Sequence, residues 1–303
     1  MPILTMMVGV FYSGKSTIAE KIARNSDAAI VSSDAIRGEI YGDENCQANH
    51  AKVFEIVHRR IRTFLKEGRD VVYDATNLSC KRRMSFLRTL SDLNVTKHCV
   101  VVIATWEDIK KRMLVRERVV PEEVVHRQIC QFQCPNYYEG WDNIDIIWTS
   151  KPGDCLNSMK ALYNETDMPH DNSHHSLSVR NHMKAAAKVA EQCRAATDND
   201  VWVAEIHDIG KPRTKTFFDK EGKPTQEAHY YNHQNYGAYY SLIFDGANSD
   251  VSIQEALNMA CLIQWHMEHY FRKKDALEKF YTMLGPELTT RLHILEEADR
   301  LAH

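Results

Sequence analysis

The stretch VWVAEIHDIGKP, Val201 to Pro212, places His207 and Asp208 side by side at the end of an apolar helical run. A neutral imidazole beside a carboxylate suits a divalent metal ion, but one adjacent pair supplies too few ligands. The chain offers His182 in RNHM, His233 in YYNHQ, His266 in IQWHM and Asp299 in EEADRLAH, each in a segment with helical patterning. Eleven of the fifteen histidines fall between His170 and His303, a skew that points to a metal in the C-terminal part. His229, four residues before His233, is expected on the same helix face, as a ligand, a proton donor or neither. His174, His175, His269 and His293 are left without a role.

A second chemistry stands far upstream. Gly9 to Ser16, GVFYSGKS, fits G-x-x-x-x-G-K-[ST] between a strand-like run and the helical STIAEKIAR. In that setting backbone N–H groups and a helix N-terminus face nucleotide phosphates. Lys15 then reaches the β- and γ-phosphates of ATP or another NTP, and Ser16 holds Mg²⁺. Gly9, Ser13, Gly14 and Thr17 complete the phosphate-facing stretch. Phe11 and Tyr12 are bulky for such a loop and either pack on the sheet or alter access.

Who receives the phosphoryl group depends on later segments. Asp34 in SSDAIR is placed to accept the proton of an attacking hydroxyl, with Arg37 on an acceptor phosphate; the plainer reading makes Asp34 a helix cap. Asp74 and Asn77 in VVYDATN end a strand at the ligand-bearing edge of a parallel sheet. Arg112, Arg116 and Arg118 are spaced to clamp a transferring phosphoryl group, or else are surface charges on an amphipathic helix. Lys81, Arg82 and Arg83 add a weak basic bias, read as solvated helix surface or as a local basic face.

These residues need elements to hold them. ILTMMVGV, AAIVSS, DVVYDATN, HCVVVIAT and IDIIW read as strands alternating with amphipathic helices, which implies βαβ units and a parallel sheet. From about Ser176 onward the patterning is helical, so the expected fold is an α/β domain (1–152), a linker or domain-entry stretch (153–175) and an all-α domain (176–303). At 303 residues, with 44% hydrophobic and 26% charged residues, the chain is an ordinary globular protein long enough for two domains. A net charge of -3 gives no global pull toward nucleic acid. Eight scattered cysteines without a CxxC pair read as reduced thiols, and the absence of a membrane-length apolar run or a leader pattern reads as cytoplasmic.

The order GxxxxGKS, SDxxR, DATN with a basic pair, then KRxxxR before a V-P-x-x-V helix resembles the 5'-hydroxyl polynucleotide kinase domain of bacteriophage kinase-phosphatase end-healing enzymes. That resemblance implies a P-loop kinase in which Asp34 is the general base, Arg37 binds the acceptor's phosphate, Lys15, Ser16, Arg112 and Arg116 serve ATP, and Asp74 and Asn77 line the acceptor side. The order H, HD, H, H, D resembles the HD-domain metal phosphohydrolases, and HDIGKP with its flanks resembles the branch found in bacterial tRNA nucleotidyltransferases. It implies ligation of one or two divalent ions (Mn²⁺, Ni²⁺, Co²⁺, Zn²⁺ or iron) by His182, His207, Asp208 and Asp299, with His233 and His266 on a second ion or the scissile phosphate and Lys211 neutralising phosphate charge.

Together the two resemblances imply an enzyme that heals nucleic-acid ends, RNA favoured. One domain phosphorylates 5'-OH ends and the other removes a 3'-phosphate or 2',3'-cyclic phosphate, leaving ends for a separate RNA ligase. Bacterial HD-kinase fusions usually carry the HD domain first, the reverse of this order. The alternatives are a nucleoside or nucleotide kinase fused to an HD nucleotidase, and a catalytically degenerate NTP-gated sensor. Oligomeric state is left open.

Overall fold

Every position of Ile3–Val8 after Ile3 is buried, as expected of a central strand covered on both faces of a parallel sheet. In the computed structural model, which describes all residues except 47, 117–119, 173–175, 249 and 303, this run is strand β1. Four further strands, β2 (Ala29–Ser32), β3 (Val71–Asp74), β4 (Thr96–Ile103) and β5 (Asn143–Trp148), pair parallel in the order β2-β3-β1-β4-β5. The order reverses direction at β1, so its C-terminal end opens on the crevice where ligands of such sheets bind.

Helices α1 (Lys15–Ser26), α2 (Ser33–Tyr41), α3 (His50–Lys66), α4 (Cys80–Arg88) and α5 (Trp106–Val115) connect the strands. Ala19 and Ala23 of α1 pack on Met7, Val72, Val100 and Val102 of the sheet. Along α3, Val53, Val57, Ile61 and Leu65 are all buried, the helical stripe expected from their spacing.

The chain divides into two packing units. The first is Met1–Ala104, Asp108–Val120 and Pro135–Thr149; the second is Thr105–Glu107, Pro121–Cys134 and Ser150–His303. Helix α6 (Glu122–Cys130) therefore packs with the second unit, together with α7 (Pro152–Glu165), α8 (Val179–Glu191), α9 (Asp198–Ile206), α10 (Lys211–Thr214), α11 (His233–Asp245), α12 (Ile253–Trp265), α13 (Glu268–Phe271), α14 (Lys274–Leu284) and α15 (Pro286–Leu301). Part of the stretch read as linker is α7, which buries Cys155, Met159 and Leu162.

This second unit departs from the all-α expectation. Strands β6 (Lys215–Phe218) and β7 (Pro224–Tyr230) form an antiparallel hairpin with a register shift between Thr216 and Phe218. Its turn is built by Asp219, whose Oδ1 accepts from the Glu221 and Lys223 N–H groups at 2.9 and 2.8 Å, with Gly222 at φ 80°. His229 consequently lies on strand β7 and not on the helix of His233, which corrects the sequence expectation.

One buried ion pair fixes the loop that follows β3 in the first unit. Arg83 is 1% exposed; its Nε and Nη2 bond Glu139 at 2.8 and 2.6 Å, while Nη1 donates to the carbonyls of Asn77 and Leu78. Of the three basic residues Lys81, Arg82 and Arg83, only the first two are exposed. Removing one partner of such a pair strands a buried charge. Arg83→Met is expected to destabilise the first unit by about 3–5 kcal/mol, read by urea unfolding followed by Trp141 fluorescence; an unchanged midpoint would show the pair to be idle.

Candidate functional sites

In the first unit the loop after β1 curls over the C-terminal end of the sheet. A Cβ on Gly9 would meet the Val102 carbonyl oxygen at 2.6 Å, so only glycine fits. Gly14 sits at φ 98° and begins α1, pointing that helix's N-terminal N–H groups into the loop. Lys15 is 7% exposed and its Nζ donates to the Val10 carbonyl at 3.1 Å, folded back along the loop. Ser13 is fully buried, with its Oγ lacking a hydrogen-bond partner. Ser16 is half-buried and Thr17 exposed.

Tyr12 adopts φ 61°, a conformation rare outside glycine, and is held there from both sides. Its hydroxyl accepts from the Val120 N–H at 2.8 Å and its carbonyl accepts from Arg112 Nη1 at 3.0 Å. Arg112 also donates to Oγ1 and the carbonyl of Thr149 at 3.0 and 2.9 Å. It is thus spent on holding the loop against the end of β5. Arg116 is exposed, and Arg118 lies outside the described residues.

Asp34 and Arg37 come together on the first turn of α2, with Arg37 Nη1 donating to Asp34 Oδ1 at 2.8 Å. The helix cap is Ser32, whose Oγ accepts from the Ala35 N–H, so capping does not account for Asp34. Arg37 is 7% exposed, its Nε has no hydrogen-bond partner, and Nη2 stands 3.4 Å from His50 Nδ1. Asp74 is half-buried at the end of β3. Asn77, at φ 46°, donates from Nδ2 to the Met7 carbonyl at 2.9 Å and so ties its loop to β1.

In the second unit the HDIGKP segment bends where α9 ends. A Cβ on Gly210 would meet the His233 carbonyl oxygen at 2.1 Å. Glycine alone lets the segment lie against the start of α11, which brings His207, Asp208 and Lys211 to His233. His207 is the C-cap of α9 and His266 the C-cap of α12. At a helix end the last carbonyls lack N–H partners, and each imidazole uses one: Nδ1 of His207 donates to Ala204 O at 2.8 Å and Nδ1 of His266 to Ile263 O at 2.6 Å. His233 Nδ1 donates to Tyr230 O and His182 Nδ1 to Ala302 O, both at 2.8 Å.

A carbonyl can only accept, so every Nδ1 carries the proton and every Nε2 turns inward. His182 Nε2 and His207 Nε2 stand 2.9 and 3.3 Å from Asp299 Oδ1. His207 Nε2 is 3.4 Å from Asp208 Oδ2, and His233 Nε2 and His266 Nε2 are 3.2 and 3.8 Å from Asp208 Oδ1. The Nε2 atoms of His233 and His266 are 3.3 Å apart. Neutral imidazoles and carboxylates at such distances set lone pair against lone pair unless a positive charge lies between them. The donors His182, His207 and Asp299, and likewise His207, Asp208 and His266, are close enough to share one ion.

The charges follow. Burial depresses the His207 imidazolium, but Asp208 and Asp299 outweigh it and push the pKa up to about 10. Burial also opposes ionisation of Asp208, yet Lys211 and His207 hold its carboxyl well below the usual range. Asp299 is lowered too, as bonds from His182 and His207 outweigh burial. Burial, helped by the charges of His207 and His233, takes His266 down to about 3. Lys211 reaches Asp208 Oδ2 at 2.5 Å.

Sequence reasoning missed His170. It is 1% exposed, its Nδ1 donates to Leu177 O at 2.9 Å, and its Nε2 accepts from Lys211 Nζ at 3.2 Å. Burial and the neighbouring Lys211 bring it down to about 4. It sits in a polar stretch that reads as a loop, and only the excess of histidine there pointed toward it. Of the histidines left without a role, His269 is near Glu296 (3.5 Å) and His293 bonds Glu296 (2.9 Å), while His174 and His175 lie outside the described residues.

The strand–loop–helix cradle on a five-stranded parallel sheet gives the first unit the form of a P-loop fold. Residues 4–135 match a family model described as an AAA domain. Among solved structures the chain is similar to a putative kinase from Chloroflexus aurantiacus (16% identity, 50% of this chain and 87% of that one, TM-score 0.43). It is also similar to a gluconokinase from Sinorhizobium meliloti (17%, 52% and 89%, TM-score 0.38) and to a Pnkp1/Rnl/Hen1 complex (26%, 40% and 42%, TM-score 0.33). No curated protein matches the chain. Among the described residues no helix is long and apolar enough to cross a membrane.

Two outcomes are expected of the histidine cluster. Because the proton held on His207 occupies the place of a cation's charge, Mn²⁺ binding should release about one proton and tighten about tenfold per pH unit between pH 6 and 8. Calorimetry in buffers of different ionisation enthalpy reads this, and pH-independent binding would contradict the assigned charges. Gly210→Ala should abolish that binding while leaving ATP binding to the first unit intact, since the clash is confined to the second unit.

Proposed function

We propose that this protein is a bifunctional nucleic-acid end-healing enzyme, acting on RNA ends in preference to DNA. The observation that carries the reading is the cluster of His182, His207, His233 and His266 with Asp208 and Asp299, on the same chain as a glycine-rich phosphate loop and an Asp34–Arg37 pair. Two phosphate chemistries of opposite direction suit a substrate with two damaged ends.

At the first site ATP lies on the loop, with Lys15 on its terminal phosphates, Ser16 on Mg²⁺, and Arg116 joining the clamp. Asp34 removes the proton from the attacking 5'-hydroxyl, and Arg37 holds the acceptor's neighbouring phosphate. The unpartnered Nε of Arg37 supports that role. Asp74 lines the acceptor side, while Asn77 and Arg112 act by holding their loops.

The second site is of HD phosphohydrolase type. His182, His207, Asp208 and Asp299 hold a divalent ion, with His233 and His266 available to a second or to the scissile phosphate. Such an ion lowers the pKa of bound water and polarises a phosphoryl oxygen. The protein's own part is to hold each Nδ1 proton on a main-chain carbonyl, so that each Nε2 is aimed inward, and to bring Lys211 to the phosphate. Removal of a 3'-phosphate or 2',3'-cyclic phosphate then leaves a 3'-OH which, with the new 5'-phosphate, a separate ligase can join.

The decisive experiment is product analysis of an RNA oligomer bearing a 5'-OH and a 2',3'-cyclic phosphate, with ATP, Mg²⁺ and Mn²⁺ or Ni²⁺. The 5' end should gain phosphate except with Asp34→Ala, and the 3' end should lose its block except with Asp208→Ala. Phosphorylation of free nucleosides but not of the oligomer would replace this reading by a small-molecule kinase.

A further inference from the structure

Tyr12 stands in the phosphate loop at φ 61°, a conformation that costs a bulky residue free energy. Strain of this kind persists only where the surroundings enforce it, and it gathers at functional sites. Here the enforcing bonds come from two points on one short stretch of chain. Arg112 Nη1 donates to the Tyr12 carbonyl at 3.0 Å, and the Val120 N–H donates to the Tyr12 hydroxyl at 2.8 Å. Arg116 lies midway between those points, four residues after Arg112 and four before Val120.

Both bonds are placed to last. Tyr12 and Val120 are 8% and 9% exposed, so water competes little for either group. Ser13, the next loop residue, gives its carbonyl to Thr149 Oγ1 at 2.8 Å, and the same Oγ1 accepts from Arg112 at 3.0 Å. The loop, α5 and the end of β5 thus form one hydrogen-bonded block. Packing contributes less: Leu114 and Val115, in the last turn of α5, are 87% and 82% exposed and give that end of the helix little hold. Four residues of chain span at most about 14 Å, so the bond at Val120 limits how far Arg116 can stray from the loop.

The hydroxyl is what tyrosine adds at this position. Phenylalanine would fill the same space, and glycine would take the positive φ without strain, but neither could accept from Val120.

We propose that Tyr12 is a positioning residue of the first site: its hydroxyl and carbonyl tie the phosphate loop to the chain on both sides of Arg116, so that filling the loop and placing Arg116 are coupled. The proposal rests on the kinase reading above and deepens it, because Arg116 then acts from a position that Tyr12 sets. It also gives a use to a residue whose bulk is otherwise out of place in such a loop.

The test uses the full chain as wild type, Tyr12→Phe, Tyr12→Gly, Arg116→Ala and the Tyr12→Phe/Arg116→Ala double variant, with ATP, Mg²⁺ and a 5'-OH RNA oligomer. In Tyr12→Phe kcat should fall roughly tenfold, the scale set by a buried N–H that loses its partner. Tyr12→Gly, which removes the backbone strain together with the hydroxyl, should show the same loss. ATP affinity, held by the rest of the loop, should be unchanged in both. Tyr12→Phe should add nothing to the loss in Arg116→Ala, because the two changes remove one effect. Hydrogen exchange at the Val120 amide gives a readout that needs no turnover: Mg²⁺ with ATP should slow it in wild type and not in Tyr12→Phe. Full kcat in Tyr12→Phe or in Arg116→Ala, losses that multiply in the double variant, or Val120 exchange equal in wild type and Tyr12→Phe would overturn the proposal. So would ATP affinity falling in step with kcat, the mark of a loop loosened as a whole. If wild type phosphorylates no oligomer, the end-healing reading fails by itself, and Val120 exchange with and without ATP still decides the coupling.

Discussion

An imidazole has two nitrogens and one proton when neutral, so anchoring the proton decides where the lone pair goes. In the second unit His182, His207, His233 and His266 give their Nδ1 protons to main-chain carbonyls, three of them to the carbonyl three residues earlier. The carbonyls freed where α9 and α12 stop are the acceptors for His207 and His266, which ties the lengths of those helices to the direction of the rings. Four lone pairs and two carboxylates then share one buried volume. That arrangement opposes folding on its own, since burying like-signed groups costs free energy. It becomes favourable around a cation or a retained proton, which couples occupancy of the site to the stability of the unit.

The first unit handles charge in the opposite sense. Lys15 and Arg112 direct donors at backbone carbonyls of the phosphate loop and its neighbour β5, and Arg83 does the same for the loop after β3. Lys15 and Arg112 are thereby held along the phosphate loop, while Arg83 is paired with Glu139.

Much of this was legible before any coordinates. β1, β3 and the second half of β4 were readable because they are apolar along their length, as strands buried on both faces must be, while the edge strands β2 and β5 are only partly buried. The phosphate loop was readable because glycine is obligatory at positions such as Gly9, where another backbone passes within contact of any Cβ. The cluster His182, His207, Asp208, His233, His266 and Asp299 was recoverable from the order H, HD, H, H, D and its resemblance to HD-domain phosphohydrolases, not from any one histidine taken singly. What failed depended on tertiary packing. His170 lies in a polar segment whose burial comes from contacts with Leu177 and Lys211 that no local pattern encodes. His229 was assigned to a helix by its four-residue spacing from His233, but the Asp219 turn and the run of Thr216, Phe217 and Phe218 make that segment a hairpin. The charges of Arg83 and Arg112 gave no sign that one would be buried and the other spent on Thr149, because a basic residue on a helix looks the same in sequence whichever way it turns.

The same limit explains why net charge says so little about this chain. A total of -3 averages a loop braced by basic side chains with a buried cluster of imidazoles and carboxylates. At the distances involved, 2.5 to 3.8 Å in the histidine cluster, local groups dominate, because exposed charges farther than about 8–10 Å are screened at physiological ionic strength. Each site therefore sets its own field. The His207–Asp208 pair that first drew attention matters less as a pair than as the place where α9 ends, which gives His207 its carbonyl, and where Gly210 lets the chain turn onto α11. The residue types supply the donor atoms, but the backbone around them decides which of those atoms turn inward.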